Sequence, residues 1–433
     1  MEWSGIASLV LMLGLTFLSW WQYRPCRRAL RDAWKRGPQS LTNDHAPPAC
    51  IVLCLRGSDP FLDRCLDGLI HQDYPDYELL VVVDSETDEA LPHVRRAEKE
   101  FGPDRVQVVV RHVNLSTCTR KCSSLRSAYE RVHDRIQVVA TCDGDTVTHP
   151  TWLRELVAPM RDPEVLATTG NRWYAPPDHD WAGFIRYYWN AMAFPAMVAY
   201  HIPWGGSLAL RSEVFRDPVY LDYLAHAFSE DTQLAHYLAT RKTHAVSVIP
   251  LVMLNEERTT FHSLWGFLQR QMLAARLHHR CWPLVLGNAL AIFVVAWVLL
   301  PLTILGGAWN FLLGWILPAT IYSWVVLAEV GRFEWLVRKT QREWHGRTLP
   351  PMTASRLLET YLMPTPTAYF YSLAVVVAWL SRKHEWRGIT YRLERRGVSI
   401  LPSPTAPDSP AAGSRGDDDV MGSPIEPVLV SRK

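Results

Sequence analysis

Two aspartates that directly follow a short apolar run are the residues of this sequence best suited to hold a metal ion. The stretch VVATCDGDTVTHP at residues 138–150 contains Asp143 and Asp145, separated by one glycine. The residues from Val138 to Thr141 predict a buried strand, and the glycine lets the backbone turn sharply after it. Carboxylate oxygens suit Mg²⁺ or Mn²⁺ that still binds a phosphate substrate. Alone, an Asp-x-Asp pair is more typical of a solvated turn, so its interpretation depends on the other polar residues.

Three further polar positions stand beside apolar segments. Asp84 ends the run VVVD, Lys121 lies in TRKCSSLRSAYE, and Glu230 and Asp231 lie in FSEDTQLAHYL. Each has a simpler structural interpretation. Asp84 can cap a turn, Lys121 can be a solvated lysine, and Asp231 can be an acid at a helix start, where the helix dipole favours it.

A small-residue segment lies between these positions. The sequence WGGSLALRSEVF at residues 204–215 begins with Trp204, Gly205 and Gly206. The glycines allow the backbone to approach a sugar or an acceptor closely, or they form a simple turn. The indole of Trp204 is suited to stack on a sugar face and is equally typical of a buried aromatic.

The order of the apolar runs predicts an α/β domain. Strands and helices alternate, which indicates a mostly parallel sheet with helices on both faces. Ligands of such sheets bind beyond the carboxyl ends of the strands, where Asp84, Asp143 and Asp145 fall. The predicted strands are 50–55, 77–83, 106–110 and 138–141, and the predicted helices are 59–71, 86–101, 123–132 and 231–239.

Composition excludes some classes of protein. The 433 residues carry a formal net charge of +2, so there is no overall basic character that would favour nucleic acid. The basic residues gather beside apolar runs, which indicates a membrane instead. The eight cysteines contain no Cys-x-x-Cys pair, and we interpret them as reduced thiols of a cytosolic domain.

Apolar segments at both ends predict membrane helices. Residues 3–22 contain no charge, end in aromatic residues and are followed at once by arginines, which indicates a retained anchor and not a cleaved signal peptide. Residues 283–330 predict two membrane helices broken near Pro301 and Gly306-Gly307. Residues 331–360 are basic and predict a cytoplasmic loop with an interfacial helix.

The last apolar run leaves the topology open. With the amino terminus outside, residues 361–381 are either a fourth crossing or a re-entrant segment, and the basic residues after them favour a cytoplasmic end. Residues 399–433 are rich in Pro, Ser, Gly and Asp, which predicts disorder.

Taken in order, these motifs resemble the family 2 glycosyltransferases. The sequence looks most similar to the membrane-bound branch that includes ceramide glucosyltransferases and, further off, hyaluronan, chitin and cellulose synthases. The opening LRGSDPFLDRCLDGLIHQDYPDYELLVVVDSETDEA is especially similar to the ceramide glucosyltransferases. The resemblance covers residues 48–280, the expected GT-A nucleotide-sugar-binding domain, and WRGITYRL at 386–393 is similar to the tail of that branch.

The resemblance implies a role for each motif residue. Asp84 would bind the uracil or ribose of a UDP-sugar, and Lys121 would meet the nucleotide or its phosphates. Asp143 would face the nucleotide, and Asp145 would bind the Mg²⁺ or Mn²⁺ that bridges both phosphates. Asp231 would be the base that deprotonates the acceptor hydroxyl in one inverting displacement.

The resemblance also implies that three further residues contact the acceptor or sugar. Trp204, Gly205 and Gly206 would line that part of the site. Glu230 would orient the site beside the base without reacting itself.

The sequence departs from the family pattern at two places. The family pattern has Asn three residues after the lysine, and in this sequence that position is Ser124. The (Gln/Arg)-x-x-Arg-Trp motif expected before the second membrane segment is incomplete in FLQRQMLAARLHHRCW, where Leu273 and Ala274 replace its Arg-Trp pair. Four residues of this segment remain able to reach a diphosphate, of which Arg270 and Gln271 are the best candidates; the other two are Gln269 and Arg276.

The combined interpretation is a hexosyltransferase of the inner membrane with a cytoplasmic catalytic domain. It would transfer sugar from a UDP-sugar to a membrane lipid of the ceramide or hopanoid kind. The missing Arg-Trp pair favours single transfer over polymer synthesis. A polysaccharide synthase that extends a growing β-linked glycan and a catalytically silent scaffold of the cell envelope remain the alternatives.

Overall fold

The computed structural model describes residues 2–38, 44–394 and 397–402. Most of the tail predicted to be disordered, residues 403–433, lies outside the described residues, as do residues 39–43 of the linker before the first strand. Within the described ranges, one sheet of seven strands forms the centre of the catalytic domain.

The central sheet has the order β3-β2-β1-β4-β6-β5-β7. The pairs among β1 to β4 and the pair β5–β7 are parallel, whereas β6 runs antiparallel to both of its neighbours. The expected mostly parallel α/β fold is therefore confirmed. Its strands are β1 Ala49–Leu55, β2 Tyr77–Val83, β3 Val106–Val110, β4 Val138–Cys142, β5 Ala167–Tyr174, β6 Ser207–Arg211 and β7 Val246–Asn255.

Helices cover both faces of this sheet and continue into a membrane-type bundle. Apolar residues on the two faces of β1, β2 and β4 belong to two separate clusters, which explains why these strands are apolar almost throughout. The helices of the domain are α2 Leu62–Ile70, α3 Leu91–Phe101, α4 Arg120–Tyr129, α5 Trp152–Val157, α6 Trp181–Ala199, α7 Ser212–Phe215, α8 Pro218–Ala225, α9 Glu230–Thr240 and α10 Phe261–His278.

The remaining elements belong to the ends of the chain. They are α1 Trp3–Arg36, α11 Trp282–Phe293, α12 Leu300–Leu305, α13 Ala308–Phe311, α14 Leu317–Trp344, α15 Ala354–Leu362, α16 Pro364–Leu380, β8 Lys383–Trp386, β9 Ile389–Glu394 and β10 Gly397–Ile400. Among the described residues, three helical spans are long and apolar enough to cross a membrane: Trp3–Arg36, Trp282–Leu305 and Ala308–Trp344. The last two are separated at the predicted Gly306-Gly307 turn, where Gly307 has a φ of 87°.

The first helix extends well beyond the predicted anchor. It continues to Arg36 and packs against α6 and α14. The Arg27 guanidinium lies 2.6 Å from the Glu329 carboxylate of α14, and the hydroxyl of Tyr23 donates to the carbonyl of Ala191. The amino-terminal helix therefore joins the membrane bundle to the catalytic domain.

The described end of the chain returns to the catalytic domain. Strands β8, β9 and β10 form a small antiparallel sheet. The N–H of Ile400 donates to the carbonyl of Ser116 at 2.7 Å, and the N–H of Arg120 donates to the hydroxyl of Tyr391 at 3.4 Å. Both ends of α16 adjoin segments that contact the catalytic domain. Whether α16 is a fourth crossing or a re-entrant helix stays a prediction.

Candidate active site

The candidate site forms at one edge of the central sheet because its parallel strands end there. Asp84 directly follows β2, and Asp143 and Asp145 follow β4. Since β1, β2 and β4 are parallel neighbours, their carboxyl ends bring these carboxylates to one place. All three line a single cavity of about 970 Å³. The sequence-based expectation that these residues lie together agrees with the geometry.

Lys121 lies between two carboxylates inside this cavity. It occupies the first turn of α4, and its Nζ lies 2.6 Å from Asp143 Oδ1 and 2.5 Å from Glu230 Oε1. Burial alone would lower the pKa of Lys121, but the two carboxylates raise it well above its usual value. The same ammonium outweighs the effect of burial on Asp143, whose pKa is lowered. Lys121 is therefore held charged and is engaged by two carboxylates of the protein.

Asp145 differs from Asp143 because no lysine, arginine or histidine among the described residues forms an ion pair with it. Burial, followed by the nearby charges of Asp143 and Asp59, raises the pKa of Asp145 to about 6. A carboxylate that is costly to ionise and has no cationic partner is suited to receive a cation. The donor set of Asp143 and Asp145, oxygen atoms alone, fits a divalent ion of the Mg²⁺ or Mn²⁺ kind.

Asp231 is fixed at the start of α9. Its Oδ2 accepts a hydrogen bond from the N–H of Gly205 at 3.1 Å. Its Oδ1 accepts from the hydroxyl of Ser229 at 2.5 Å and from the N–H of Thr232 at 2.6 Å. These bonds fix the orientation of a half-buried carboxylate that lines the cavity. The simple interpretation as a helix-start acid and the interpretation as a base are therefore both compatible with its position.

Positions 205 and 206 must be glycine because neighbouring side chains leave no room for a Cβ. A Cβ on Gly205 would overlap the Glu230 carboxylate, and a Cβ on Gly206 would overlap the Trp204 ring and Asp143. Trp204 itself is buried, with 7% of its surface exposed, although it lines the cavity. The atoms that approach these two glycines closely thus belong to other side chains of the protein. Contact between the glycines and a sugar remains a prediction.

Asp84 is already paired with two arginines. Arg56 Nη1 lies 2.7 Å from its Oδ2, and Arg111 Nε lies 2.8 Å from its Oδ1. The pairs hold the carboxylate in the lining of the cavity, where 14% of the side chain is exposed. The predicted contact with a nucleotide remains a prediction.

Helix α10 brings two of its four candidate residues to the site. Arg270 and Gln271 line the cavity, whereas Gln269 and Arg276 do not. The Arg276 guanidinium instead donates to the carbonyls of Ala378 and Ser381 at the end of α16. The expectation that Arg276 remains free for a diphosphate is wrong, because it caps a neighbouring helix.

Sequence analysis missed several charged residues that line the cavity, among them two arginines and an aspartate. Arg172 of β5 and Asp59, which follows β1, line the cavity, as does Arg387 at the turn between β8 and β9. Arg172 lies over the rings of Trp204 and Phe267, at 5.5 and 4.9 Å from their centroids. Arg172 and Asp59 give no local signal in the sequence. Arg387 lies within WRGITYRL, which was recognised as a motif without a role.

A histidine pair lies outside the cavity and supports the loop after Asp145. The rings of His149 and His345 stack at 3.7 Å, and His345 Nε2 lies 3.2 Å from Glu155 Oε1. Arg347 donates to the carbonyls of Val147 and Thr148 at 2.9 and 2.8 Å. The segment after α14 thus holds the backbone that follows the two aspartates.

The cavity also extends to the membrane helices. Its apolar part is lined by α1, α11 and α16, through residues that include Leu11, Leu15, Leu18, Val285, Ala291 and Ile292. One continuous space therefore joins the carboxylates at the sheet edge to the apolar bundle. Its size is that of a site for a small molecule or a cofactor.

Together, the sheet, the paired carboxylates and the membrane-type helices define a glycosyltransferase of the GT-A class. More specifically, the chain belongs to glycosyl transferase family 21, whose family model matches residues 9–399. The expected membership of the family 2-like glycosyltransferases is thereby confirmed.

Two curated proteins show local similarity to this chain. Human hyaluronan synthase 3 is 24% identical over 226 residues, which cover 43% of this chain and 40% of that protein. An uncharacterised glycosyltransferase of Haemophilus influenzae is 20% identical over 128 residues, covering 30% of this chain and 37% of that protein. The chain therefore spans less than half the length of either curated relative.

Solved structures show a weaker overall similarity. A mannosyltransferase from Pyrobaculum calidifontis, determined with GDP-mannose and Mn²⁺, has a TM-score of 0.49 at 16% identity and covers 87% of this chain and 99% of its own. Glucosyl-3-phosphoglycerate synthase from Mycobacterium tuberculosis, determined with Mn²⁺ and UDP, has a TM-score of 0.33 at 14% identity, covering 52% of this chain and 79% of its own.

Proposed function

We propose that this protein is an inverting hexosyltransferase that moves a sugar from a UDP-sugar to a membrane lipid. The acceptor would be ceramide- or hopanoid-like, and transfer would take place at the cytoplasmic face of the inner membrane. The observation that supports this most directly is the continuous cavity, which joins Asp143, Asp145 and Asp231 to the apolar side chains of α1 and α11.

In this proposal Asp231 accepts the proton of the acceptor hydroxyl. The hydrogen bonds from Gly205 and Thr232 hold the carboxylate in one orientation, and Asp231 lines the cavity. The deprotonated oxygen attacks the anomeric carbon from the face opposite to the diphosphate, so an α-linked donor gives a β-linked product. Glu230 is engaged by Lys121 and would position the site without accepting the proton.

The leaving group needs positive charge because its oxygen becomes more negative as the glycosidic bond breaks. A divalent cation held by Asp143 and Asp145 would neutralise part of that charge when bound. Asp145 lacks a cation of its own among the described residues, and Lys121 keeps Asp143 ionised. Both features favour a site that is completed by Mg²⁺ or Mn²⁺ together with the donor.

The test is sugar transfer by isolated membranes that contain the full chain. Labelled UDP-glucose, UDP-galactose and UDP-N-acetylglucosamine are supplied with Mn²⁺ and native lipid, and lipid-soluble and polymeric label are counted separately. We expect label in the lipid phase, and we expect Asp231→Asn to lower transfer by about 10²–10⁴-fold because the general base is lost. Donor binding should persist in this variant, since the asparagine has the same shape.

The rival functions give different outcomes in the same assay. Label in polymer would favour a polysaccharide synthase that extends a β-linked glycan. The absence of metal-dependent transfer and of UDP release with every donor would favour a catalytically silent scaffold. An Asp231→Asn variant as active as the wild type would overturn the assignment of the base.

A further inference from the structure

Three arginines from distant parts of the sequence converge on the cavity. Arg172 lies in β5, Arg270 lies in α10, and Arg387 lies at the β8–β9 turn. Arg172 packs over Phe267, which is one helical turn before Arg270. Arg270 in turn packs over the ring of Trp386, 5.2 Å from its centroid, and Trp386 directly precedes Arg387. The three guanidinium groups therefore follow one continuous wall of the site.

Two of these positive charges have no carboxylate partner among the described residues. No ion pair joins Arg172 or Arg270 to an acid, and Arg172 makes one long hydrogen bond, 3.4 Å, to the amide oxygen of Asn190. Lys121 cannot take their place as a free cation because Asp143 and Glu230 already engage it. The wall consequently carries more positive than negative charge where the donor would lie.

The electrostatic environment of Arg270 is consistent with this excess. Burial lowers the pKa of Arg270, and the positive charges of Arg172 and Arg387 lower it further. Like charges that are gathered in a partly enclosed space repel one another until an anion binds between them. A diphosphate carries several oxygens that accept hydrogen bonds from guanidinium groups.

Arg387 is held close to the two aspartates of the site. Its Nη2 lies 3.0 Å from Asp59 Oδ1, and its Nη1 donates to the carbonyl of Arg56. Asp59 is itself near the turn that carries the aspartates, since a Cβ on Gly144 would lie 3.5 Å from its Oδ2. Arg387 is therefore paired with Asp59, and it still lines the cavity with 42% of its side chain exposed.

The backbone conformation of Arg387 is energetically unfavourable. Arg387 and Gly388 connect β8 to β9 with φ values of 48° and 73°, a two-residue turn in which asparagine or glycine is favoured at the first position. A long cationic side chain at that position is disfavoured by the backbone alone. Strained positions of this kind concentrate at functional sites.

We propose that Arg387 binds the diphosphate of the donor together with Arg172 and Arg270, so that the carboxyl-terminal hairpin completes the donor site. This inference rests on the proposed function. The shared chemistry is a phosphate oxyanion, which either a nucleoside diphosphate or an anionic lipid headgroup would supply. The position of Arg387 beside Asp59 and the aspartate turn favours the nucleoside diphosphate.

The test uses the full chain in lipid nanodiscs and compares variants of one hairpin. Arg387→Asn removes the guanidinium and keeps a residue that tolerates a positive φ. Arg392→Gln removes an exposed charge of β9 that does not line the cavity, and it is the matched control. The measured quantities are the Kd of UDP, the Kd of uridine, and the KM of the sugar donor, each in discs of neutral lipid and of lipid with anionic headgroups.

We expect Arg387→Asn to raise the Kd of UDP and the donor KM by roughly tenfold, because one charge-assisted hydrogen-bonding group is lost. The Kd of uridine should be unchanged, and Arg392→Gln should resemble the wild type in every measurement. If both variants have the unfolding midpoint of the wild type, the change in the Kd of UDP reflects binding and not a loss of stability.

Two outcomes would overturn the inference while the proposed function stands. One is a wild type that transfers sugar and an Arg387→Asn variant with unchanged affinity for UDP. The other is an Arg387→Asn effect that appears in discs with anionic lipid and leaves UDP affinity unaltered, which would assign the arginine to a lipid headgroup. A wild type that neither binds UDP nor transfers sugar would instead contradict the proposed function.

Discussion

Lys121 is the residue on which the charges of the site depend. It lies between Asp143, which follows β4, and Glu230, which begins α9, and its Nζ is within 2.6 Å of a carboxylate oxygen of each. The three groups come from three elements and are brought together by folding alone. One positive charge thus faces two carboxylates, whereas the second aspartate of the turn, Asp145, forms no ion pair with a basic side chain among the described residues.

Replacement of this lysine should lower the stability of the protein in addition to its activity. Lys121→Met leaves Asp143 and Glu230 without their cation, and we expect the free energy of unfolding to fall by about 2–4 kcal/mol. This is less than the full cost of breaking a completely buried pair, since 30% of the Asp143 side chain is exposed. Thermal unfolding of the purified protein in detergent would measure the change.

A second substitution separates charge from packing. In Lys121→Met/Glu230→Gln, the carboxylate that is 5% exposed no longer carries a charge, so part of the lost stability should return. Either of two results would show that Lys121 does not stabilise the two carboxylates. One is a single variant that unfolds at the wild-type temperature, and the other is a double variant that is no more stable than the single one.

At the scale of elements, strands were easier to predict than helix starts. Strands β2 and β3 have the predicted bounds, because Tyr77–Val83 and Val106–Val110 are predominantly apolar and are flanked by charged residues. Helix α4 instead begins at Arg120, three residues before the predicted start, where Thr119 has an extended backbone. The helix begins with two basic residues, Arg120 and Lys121, which show none of the helical spacing of apolar residues on which the prediction depends. The turn that holds Lys121 was therefore not recognised.

The carboxyl-terminal hairpin was missed for a related reason. Residues 382–396 are rich in charge and were interpreted as a basic stretch beside a membrane. Residues 399–433 were predicted to be disordered, which is wrong for Ser399 and Ile400 because they belong to β10. The strands of this small sheet are stabilised by contacts that the local sequence does not encode, such as the hydrogen bond between Arg120 and Tyr391. Arg172 and Asp59 were missed likewise, because their place in the site arises from packing between distant segments.

Helix α10 supports the segment that precedes α9 through a neutral histidine. The N–H of Phe228 donates to Nε2 of His278 at 2.8 Å, which requires that this nitrogen be unprotonated. Burial, with a smaller effect of His236, lowers the pKa of His278 to about 4. Unfolded histidine has a pKa of about 6.5, so the unfolded chain binds this proton more tightly.

Acid should therefore destabilise the folded protein through His278. Between pH 6.5 and pH 4 the unfolded state is protonated and the folded state is not, so stability is lost as the pH falls through this window. From pH 7 to pH 5 we expect His278 to contribute a loss of about 2 kcal/mol. Comparison of unfolding midpoints at these two pH values would show it.

The glutamine variant identifies this contribution among the other titrating groups. His278→Gln retains an oxygen that can accept from Phe228 and does not titrate, so its midpoint should fall less on acidification than that of the wild type. Equal pH dependence of the two proteins would show that His278 does not control acid stability.

At the scale of the whole molecule, the membrane helices and the catalytic domain form one site. The carboxyl-terminal end of α14 reaches back to β7, where the side-chain amide of Gln341 donates to the carbonyl of Val252 at 2.8 Å. The cavity then passes from the sheet edge between α1, α11 and α16. A substrate with a polar end and a long apolar end fits such a space better than a wholly soluble one.

Two glycines of the membrane helices allow this apolar part of the cavity to be tested. Gly14 of α1 and Gly287 of α11 line the cavity, and a Cβ on either would meet no atom within 4 Å. A larger side chain can therefore occupy the cavity at these positions without displacing the protein. Gly331 of α14 has equally open surroundings and does not line the cavity, so it provides a matched control.

We expect Gly14→Phe and Gly287→Phe to lower transfer to a long-chain lipid by roughly tenfold, because each phenyl ring occupies space that the acceptor needs. The Kd of UDP should be unchanged in both variants, since the substitutions lie in the apolar part of the cavity. Gly331→Phe should transfer sugar at the wild-type rate. Rates of transfer to acceptors of increasing chain length would measure this, and an equal loss in all three variants, or in none, would show that the acceptor does not enter between α1 and α11.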